Sequence, residues 1–192
     1  MPTSVQDDTM ITPTSLARDL DSSFPAFVLE YQNGIYSGIR RLVPAAADAE
    51  DLTQETFIRA YRALRGYPTE RIQSLALSGW LWTIALNLCR NEARRRTRKP
   101  TGAALQAVPE PASQADTAED AIATLQQQEW HDRLGKLSLP MRTAVVLRHV
   151  VGLPYRDVAE ATGRPVGTVK ADVHRGIARL REMLDSDQAE RP

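Results

Sequence analysis

The sequence predicts an all-α protein: two small helical domains joined by a flexible acidic linker, the second built on a helix-turn-helix. Three observations predict it. Apolar residues recur at three- and four-residue spacing through long segments, and no stretch alternates apolar and polar residues as a half-buried strand would. A segment without regularly spaced large apolar residues, 101–126, separates two such parts. Charge is segregated although the formal net charge is zero. Asn87 to Pro100 carries six basic residues (Arg90, Arg94, Arg95, Arg96, Arg98, Lys99) against one acid, Glu92. Pro100 to Gln127 carries Glu110, Asp116, Glu119 and Asp120 with no Lys or Arg.

A chain of 192 residues that is 42% apolar can bury one ordinary core or two small ones. Residues 1–22 are polar and read as a disordered tail, with Met10 as an alternative start. Met1 to Leu20 is interrupted by Asp7, Asp8 and Asp19, which fits neither a secretory signal nor a transit peptide, and no uncharged run is long enough to span a bilayer. A cytoplasmic protein is expected. The single cysteine, Cys89, makes no internal disulfide, and His131, His149 and His174 fall at no metal-ligand spacing, so neither a metal nor another cofactor is expected.

The first domain is expected over 23–100. From Phe24, the residues Phe27, Val28, Tyr31, Ile35, Ile39, Leu42 and Val43 mark one amphipathic helix that Pro44 stops. In "DAEDLTQETFIRAYRALRGYP", Asp48 can cap a second helix, with acids at its positive end, Arg59, Arg62 and Arg65 toward its negative end, and Gly66 and Pro68 beyond it. Leu52, Phe57, Ile58, Ala60, Tyr61 and Leu64 supply its buried stripe, leaving Asp51, Gln54, Glu55 and Arg59 as a polar face. After a loop, a third helix runs from about Gly79 to Lys99, with Leu81, Ile84, Ala85, Leu88 and Cys89 inward. Thr83, Asn87, Arg90, Asn91, Arg94 and Arg98 share its opposite face. Arginines grip phosphates and Asn can read a base edge, so this stripe suits a polyanion. Trp80 lies at its N-terminal end, as a base platform or as cover for the helix junction.

The second domain is expected over 127–186, with 187–192 as a tail. Leu125, Trp130, Leu134 and Leu137 mark a helix, and Pro140 opens the next. A short helix, Tyr155 to Ala161, then meets a turn at Thr162 and Gly163, and Pro165 opens a longer helix: this is helix-turn-helix spacing. Val166, Val169, Val173, Ile177, Leu180 and Leu184 turn inward, which leaves Thr168, Ala171, Asp172, Arg175 and Arg179 outward as a candidate major-groove surface. Arg164 at the helix start and Lys170 and His174 on its flank suit phosphates. Asp172 is discordant beside phosphates; it can accept from a cytosine amino group or hold Arg175 or Arg179 in place.

Three stretches carry a family resemblance. "DAEDLTQETFIRAYRAL" resembles the polymerase-binding helix of region two, "WLWTIALNLCRNEARRR" the promoter-melting and minus-10 helix, and "LPYRDVAEATGRPVGTVKADVHRGIARLR" the minus-35 reader of region four. From about Phe24 to Leu184 the chain resembles a bacterial sigma factor of the extracytoplasmic-function group in the sigma-70 family. The resemblance implies no enzyme but a dissociable subunit that binds core RNA polymerase through its beta and beta-prime subunits, recognises minus-10 and minus-35 promoter elements, and directs transcription initiation. By motif position, Asp48, Glu50, Asp51, Gln54 and Glu55 would meet polymerase. Trp80, Thr83, Asn87, Arg90, Asn91, Arg94, Arg95 and Arg98 would meet the minus-10 DNA, with an unstacked base captured by the loop 66–78. Arg164, Pro165, Thr168, Lys170, Ala171, Asp172, His174, Arg175 and Arg179 would serve the minus-35 element. An anti-sigma protein is a further candidate partner. Asp172 and Gly176 depart from the family pattern, which commonly has an additional basic residue and "RA" after "VK".

Two other classes compete. A helix-turn-helix repressor or activator acting without polymerase accounts for the second domain but gives "DAEDLTQETF" and the Asn/Arg stripe no task. A recombinase also joins a catalytic domain to such a reader, yet no nucleophile constellation or carboxylate cluster supports one.

Overall fold

A computed structural model describes residues 11–98 and 128–189, all α-helix and connections, with no strand among them. The expected linker 101–126 lies outside the described residues, as do the ends of the two tails. Residues 11–22 correct the expected disordered tail. α1 (Pro13–Arg18) is held by a capping box in which the Ser15 amide donates to Thr12 Oγ1 at 3.1 Å, and Pro13 suits its first turn. Its one large apolar residue, Leu16, is fully buried, and the Ile11 amide donates to Glu30 Oε2 at 2.8 Å. One buried leucine contributes about 2 kcal/mol but leaves no periodicity to read.

α2 (Leu20–Leu42) begins ahead of Phe24, because Asp19 accepts from the Ser22 amide at 3.2 Å; hydrogen bonding from the Ser22 side chain, and then from this amide, lowers the Asp19 carboxyl pKa. Phe27, Ile35 and Ile39 are buried as expected, and Phe27 meets Tyr31 and Phe57 at ring distances of 4.9 Å and 6.1 Å. α3 (Ala46–Arg65) has Ala45, not Asp48, as its N-cap, and no side chain bonds there: the alanine run extends the helix backward past the expected cap. Ile58, expected in its buried stripe, is 45% exposed; Thr56 is buried instead, its hydroxyl donating to the Leu52 carbonyl.

The loop after α3 contains a short helix, α4 (Thr69–Gln73), that the sequence did not suggest and that packs on α1. α5 (Leu77–Arg98) buries Leu81, Ala85 and Leu88. Its largest buried side chain, Trp82, was not expected inward. Gly38 explains how it fits: a Cβ there would overlap the indole and come within 2.9 Å of Val151 Cγ2. Only glycine lets α2, α5 and the second domain meet at this point.

Residues 128–135 form α6, with Leu134 and Leu137 buried and Trp130 exposed, partly covered by the Arg133 guanidinium. α7 (Leu139–Val145) runs into a π-helical turn, Val146–Val150, whose wider loop brings Val151 against Gly38. α8 (Tyr155–Thr162) ends at Gly163, φ +67°, where the Arg164 amide donates to the Ala159 carbonyl and the Gly163 amide to the Glu160 carbonyl. α9 (Val166–Ala189) follows; Val169, Val173 and Leu180 are buried, whereas Val166, in its first turn, is 40% exposed. It also runs into the expected tail. Gly176 faces α7, where a Cβ would meet Val145 Cγ2 at 2.6 Å. That departure from the family pattern is thus a helix contact.

The two domains are docked. α8 lies along α5, and one buried cluster runs from Phe27 and Trp82 through Leu147 to Val158 and Val173. Ser78 Oγ donates to Asp157 Oδ2 at 2.7 Å, and a Cβ on Gly79 would stand 3.2 Å from Glu160 Oε2. A cavity of about 160 Å³ remains at the junction, lined by Leu42, Leu86 and Cys89 on one side and Pro140, Thr143 and Val169 on the other. Burial pushes the Cys89 thiol up to about 12.

Trp82→Ala should therefore cost about 3–5 kcal/mol of unfolding free energy in denaturant titrations. Gly79→Leu should wedge α5 from α8 without touching the first domain's core. Its radius of gyration by solution scattering should exceed the wild type's, and its single thiol should alkylate faster. In the wild type the alkylation rate should go on rising with pH beyond about 8.5, where an ordinary thiol is half ionised.

Candidate nucleic-acid and polymerase interfaces

The N-terminal half of α3 is an acidic face. Glu50, Asp51 and Gln54 are exposed, and no hydrogen bond or ion pair engages their side chains among the described residues. The other two expected members are engaged: Glu55 pairs with Arg59 at 2.6 Å, and Asp48 pairs across to Arg96 on α5. Such exposed pairs contribute little stability. They do fix which acids are free.

On α5 the expected stripe is divided. Asn87, Asn91 and Arg94 are exposed, and Arg90 donates to Asn87 Oδ1 at 3.0 Å. Thr83 turns its hydroxyl back to the Gly79 carbonyl, and Trp80 is half-buried. Arg95 is bound twice by Glu92, at 2.8 Å and 3.0 Å, and Arg96 by Glu92 and Asp48. Arg98 continues the helix. The single acid of the basic run thus ties down two arginines. Glu92 escaped sequence reasoning, although its i+3 and i+4 spacing to Arg95 and Arg96 was the signal.

Beside Trp80 stands Tyr67, edge-on at a ring distance of 6.3 Å, and the Arg71 guanidinium lies 3.7 Å from the Tyr67 ring centre. The loop 66–78 and the start of α5 therefore share an aromatic and cationic ledge. No periodicity marks it, because two of its members lie in and around α4.

On α9, Thr168 and Ala171 are half-buried and Lys170, His174, Arg175 and Arg179 are exposed, as is Pro165 just ahead of the helix. Lys170 also stands 5.7 Å from the Tyr155 ring centre. Asp172, expected outward, is the correction: its side chain is 4% exposed and pairs with Arg164 and, at 2.7 Å, with Arg175. Arg179, the other partner suggested for it, pairs instead with Glu182 at 2.9 Å. The i−8 and i+3 positions of Arg164 and Arg175 supply two cations, and a buried carboxylate needs them.

The two candidate DNA surfaces meet. Arg90 of α5 and Arg164 in the turn ahead of α9 line the same junction cavity. Among the described residues, no three His, Cys, Asp or Glu side chains converge as metal ligands would, and no helix is long and apolar enough to cross a membrane.

Residues 27–99 match the family model described as Sigma-70 region 2, and residues 127–180 that described as Sigma-70, region 4. The ECF RNA polymerase sigma factor SigE of Mycolicibacterium smegmatis is 36% identical over 177 residues, 88% of this chain; the chain spans 64% of that relative's length. The RNA polymerase sigma-H factor of Pseudomonas aeruginosa is 33% identical over 171 residues, covering 85% of this chain and 84% of the relative. Among solved structures, the sigma factor RpoE of Bartonella quintana, in complex with the anti-sigma factor NepR, superposes with a TM-score of 0.68 at 27% identity, covering 85% of this chain and 98% of that one. Sigma factors are non-enzymatic subunits of transcription initiation that bind core RNA polymerase and promoter DNA, and a repressor independent of polymerase is not favoured. With both regions matched in order, the chain belongs to the extracytoplasmic-function group of the sigma-70 family of RNA polymerase sigma factors.

Proposed function

We propose that this sigma factor works in the cytoplasm and divides its labour along three helices. α3 offers Glu50, Asp51 and Gln54 to a basic surface of core polymerase; Asp48 and Glu55 join only by giving up Arg96 and Arg59. α5 offers Asn87, Arg90, Asn91, Arg94 and Arg98 to the minus-10 DNA, with Arg95 and Thr83 at the margin. The ledge of Tyr67, Arg71 and Trp80 stacks an unpaired base beside that strand. α9 enters the major groove upstream with Arg175 and Arg179 toward base edges, flanked by Thr168, Ala171, Lys170 and His174, while Arg164 and Pro165 at the helix start meet the phosphates.

The observation that carries this reading is the free acidic face on α3 beside a basic stripe on α5. A reader of duplex DNA alone has no use for the first. The docked arrangement supports one further step. Elements centred 10 and 35 base pairs upstream are about 85 Å apart along B-form DNA at 3.4 Å per pair. Two domains joined by a shared core cannot reach both, so α8 must leave α5 before the promoter is engaged. The NepR complex of the Bartonella relative makes an anti-sigma protein a fitting partner for the docked form.

Replacing Arg94 and Arg98 with Ala should weaken promoter opening, read by permanganate reactivity of unpaired thymines, far more than binding to core polymerase. Equal loss of both would remove α5 from its assigned role. Asp51→Ala with Gln54→Ala should instead reduce retention on immobilised core polymerase by about tenfold or more, as expected when hot-spot residues are truncated. Unchanged retention would take those residues out of the interface. Specific transcription from a linear promoter by core polymerase plus this chain tests the whole assignment.

A further inference from the structure

Asp172 is the one buried acid of the recognition helix, 4% exposed at its side chain, and it joins two arginines that approach from different directions. Arg164 comes from the turn that precedes α9, and its Nη1 donates to Oδ2; Arg175 comes from one turn further along α9, and its Nη2 donates to Oδ1 at 2.7 Å. The arginine side chains remain 33% and 56% exposed. Each guanidinium has five N–H donors in a rigid fork. The carboxylate takes one nitrogen of each and leaves the other donors of both forks unused by it, those of the exposed Arg175 open to solvent and those of Arg164 beside the junction cavity.

Two arginines this close would otherwise repel and sample many rotamers. One carboxylate between them offsets the repulsion, keeps the trio at a net single positive charge, and anchors one nitrogen of each, which narrows the orientations open to both planes. Planar, bidentate recognition of the guanine O6/N7 edge depends on a plane so restricted, whereas phosphate binding needs only charge.

We propose that Asp172 is a positioning residue for upstream promoter reading: without touching DNA, it holds Arg175 in the plane that reads a guanine edge and Arg164 against the flanking phosphate. The inference rests on α9 being the upstream reader. It also explains why an acid is tolerated on a surface that approaches a polyanion. The carboxylate is covered by the cations it orients.

The experiment uses holoenzyme assembled from core polymerase and the full chain, with duplexes randomised upstream of a fixed minus-10 element. Wild type should select a guanine-containing element. Asp172→Asn should lower the preference for the selected over a scrambled duplex by about tenfold. Its binding to the scrambled duplex should strengthen, with a salt slope steeper by about one unit as the released arginines find phosphates. Arg175→Gln should lose the same preference, and adding Asp172→Asn to it should cost little more, because the acid acts through that arginine. This cycle stays readable even if Asp172→Asn loosens the domain, whose helicity circular dichroism reports. An Asn variant that keeps the wild-type preference, or a double variant whose losses add in full, overturns the inference alone. A wild type with no preference at all overturns the assignment of α9 and this inference with it.

Discussion

The packing of α5 against α8 is the contact on which the rest of the structure depends. α5 carries the basic stripe of the first domain, and α8 packs on α9, which carries the basic flank of the second. One apolar cluster passes through both. Gly38 sets its depth by letting the Trp82 ring and Val151 share one spot on α2. Ser78 and Asp157 add a polar bond at the edge. A junction built this way is a core in miniature, so separating the domains exposes apolar surface that something else must cover.

Electrostatics repeats the theme of surfaces held in reserve. The chain is neutral overall, yet its charges are sorted into an acidic face on α3, a basic stripe on α5 and a basic flank on α9. Glu92 and Asp48 engage Arg95 and Arg96 at the margin of the stripe, and Asp172 takes one nitrogen each from Arg164 and Arg175. Each acid lowers the local positive charge of the surface it sits on.

Most of the helical architecture was legible because it repeats: the apolar rows of α2, α5 and α9 and the turn at Gly163 are periodic or carry special backbone. What was missed depends on single contacts. α1 hangs on one leucine and a cap. Ile58 and Thr56 exchange places because a threonine hydroxyl satisfied by its own helix costs little to bury. Trp82 turns inward only because Gly38, on another helix, makes room. Asp172 lies on the outward side by counting alone; the arginine at the turn draws cover over it. Docking of the two domains left no sequence trace, since its apolar residues also belong to each domain's own helical rows.

The π-helical turn at Val146–Val150 puts one more residue into a turn than an α-helix would, and this is what aims Val151 at Gly38. The meeting of the two halves is therefore a matter of counting rather than of composition. Conservative side-chain changes in this segment leave the register intact, whereas loss of a single residue would restore a regular helix and swing the valine away by roughly 100° about the axis. Side chains tune the strength of the junction, whereas the π-helical turn sets where Val151 meets α2.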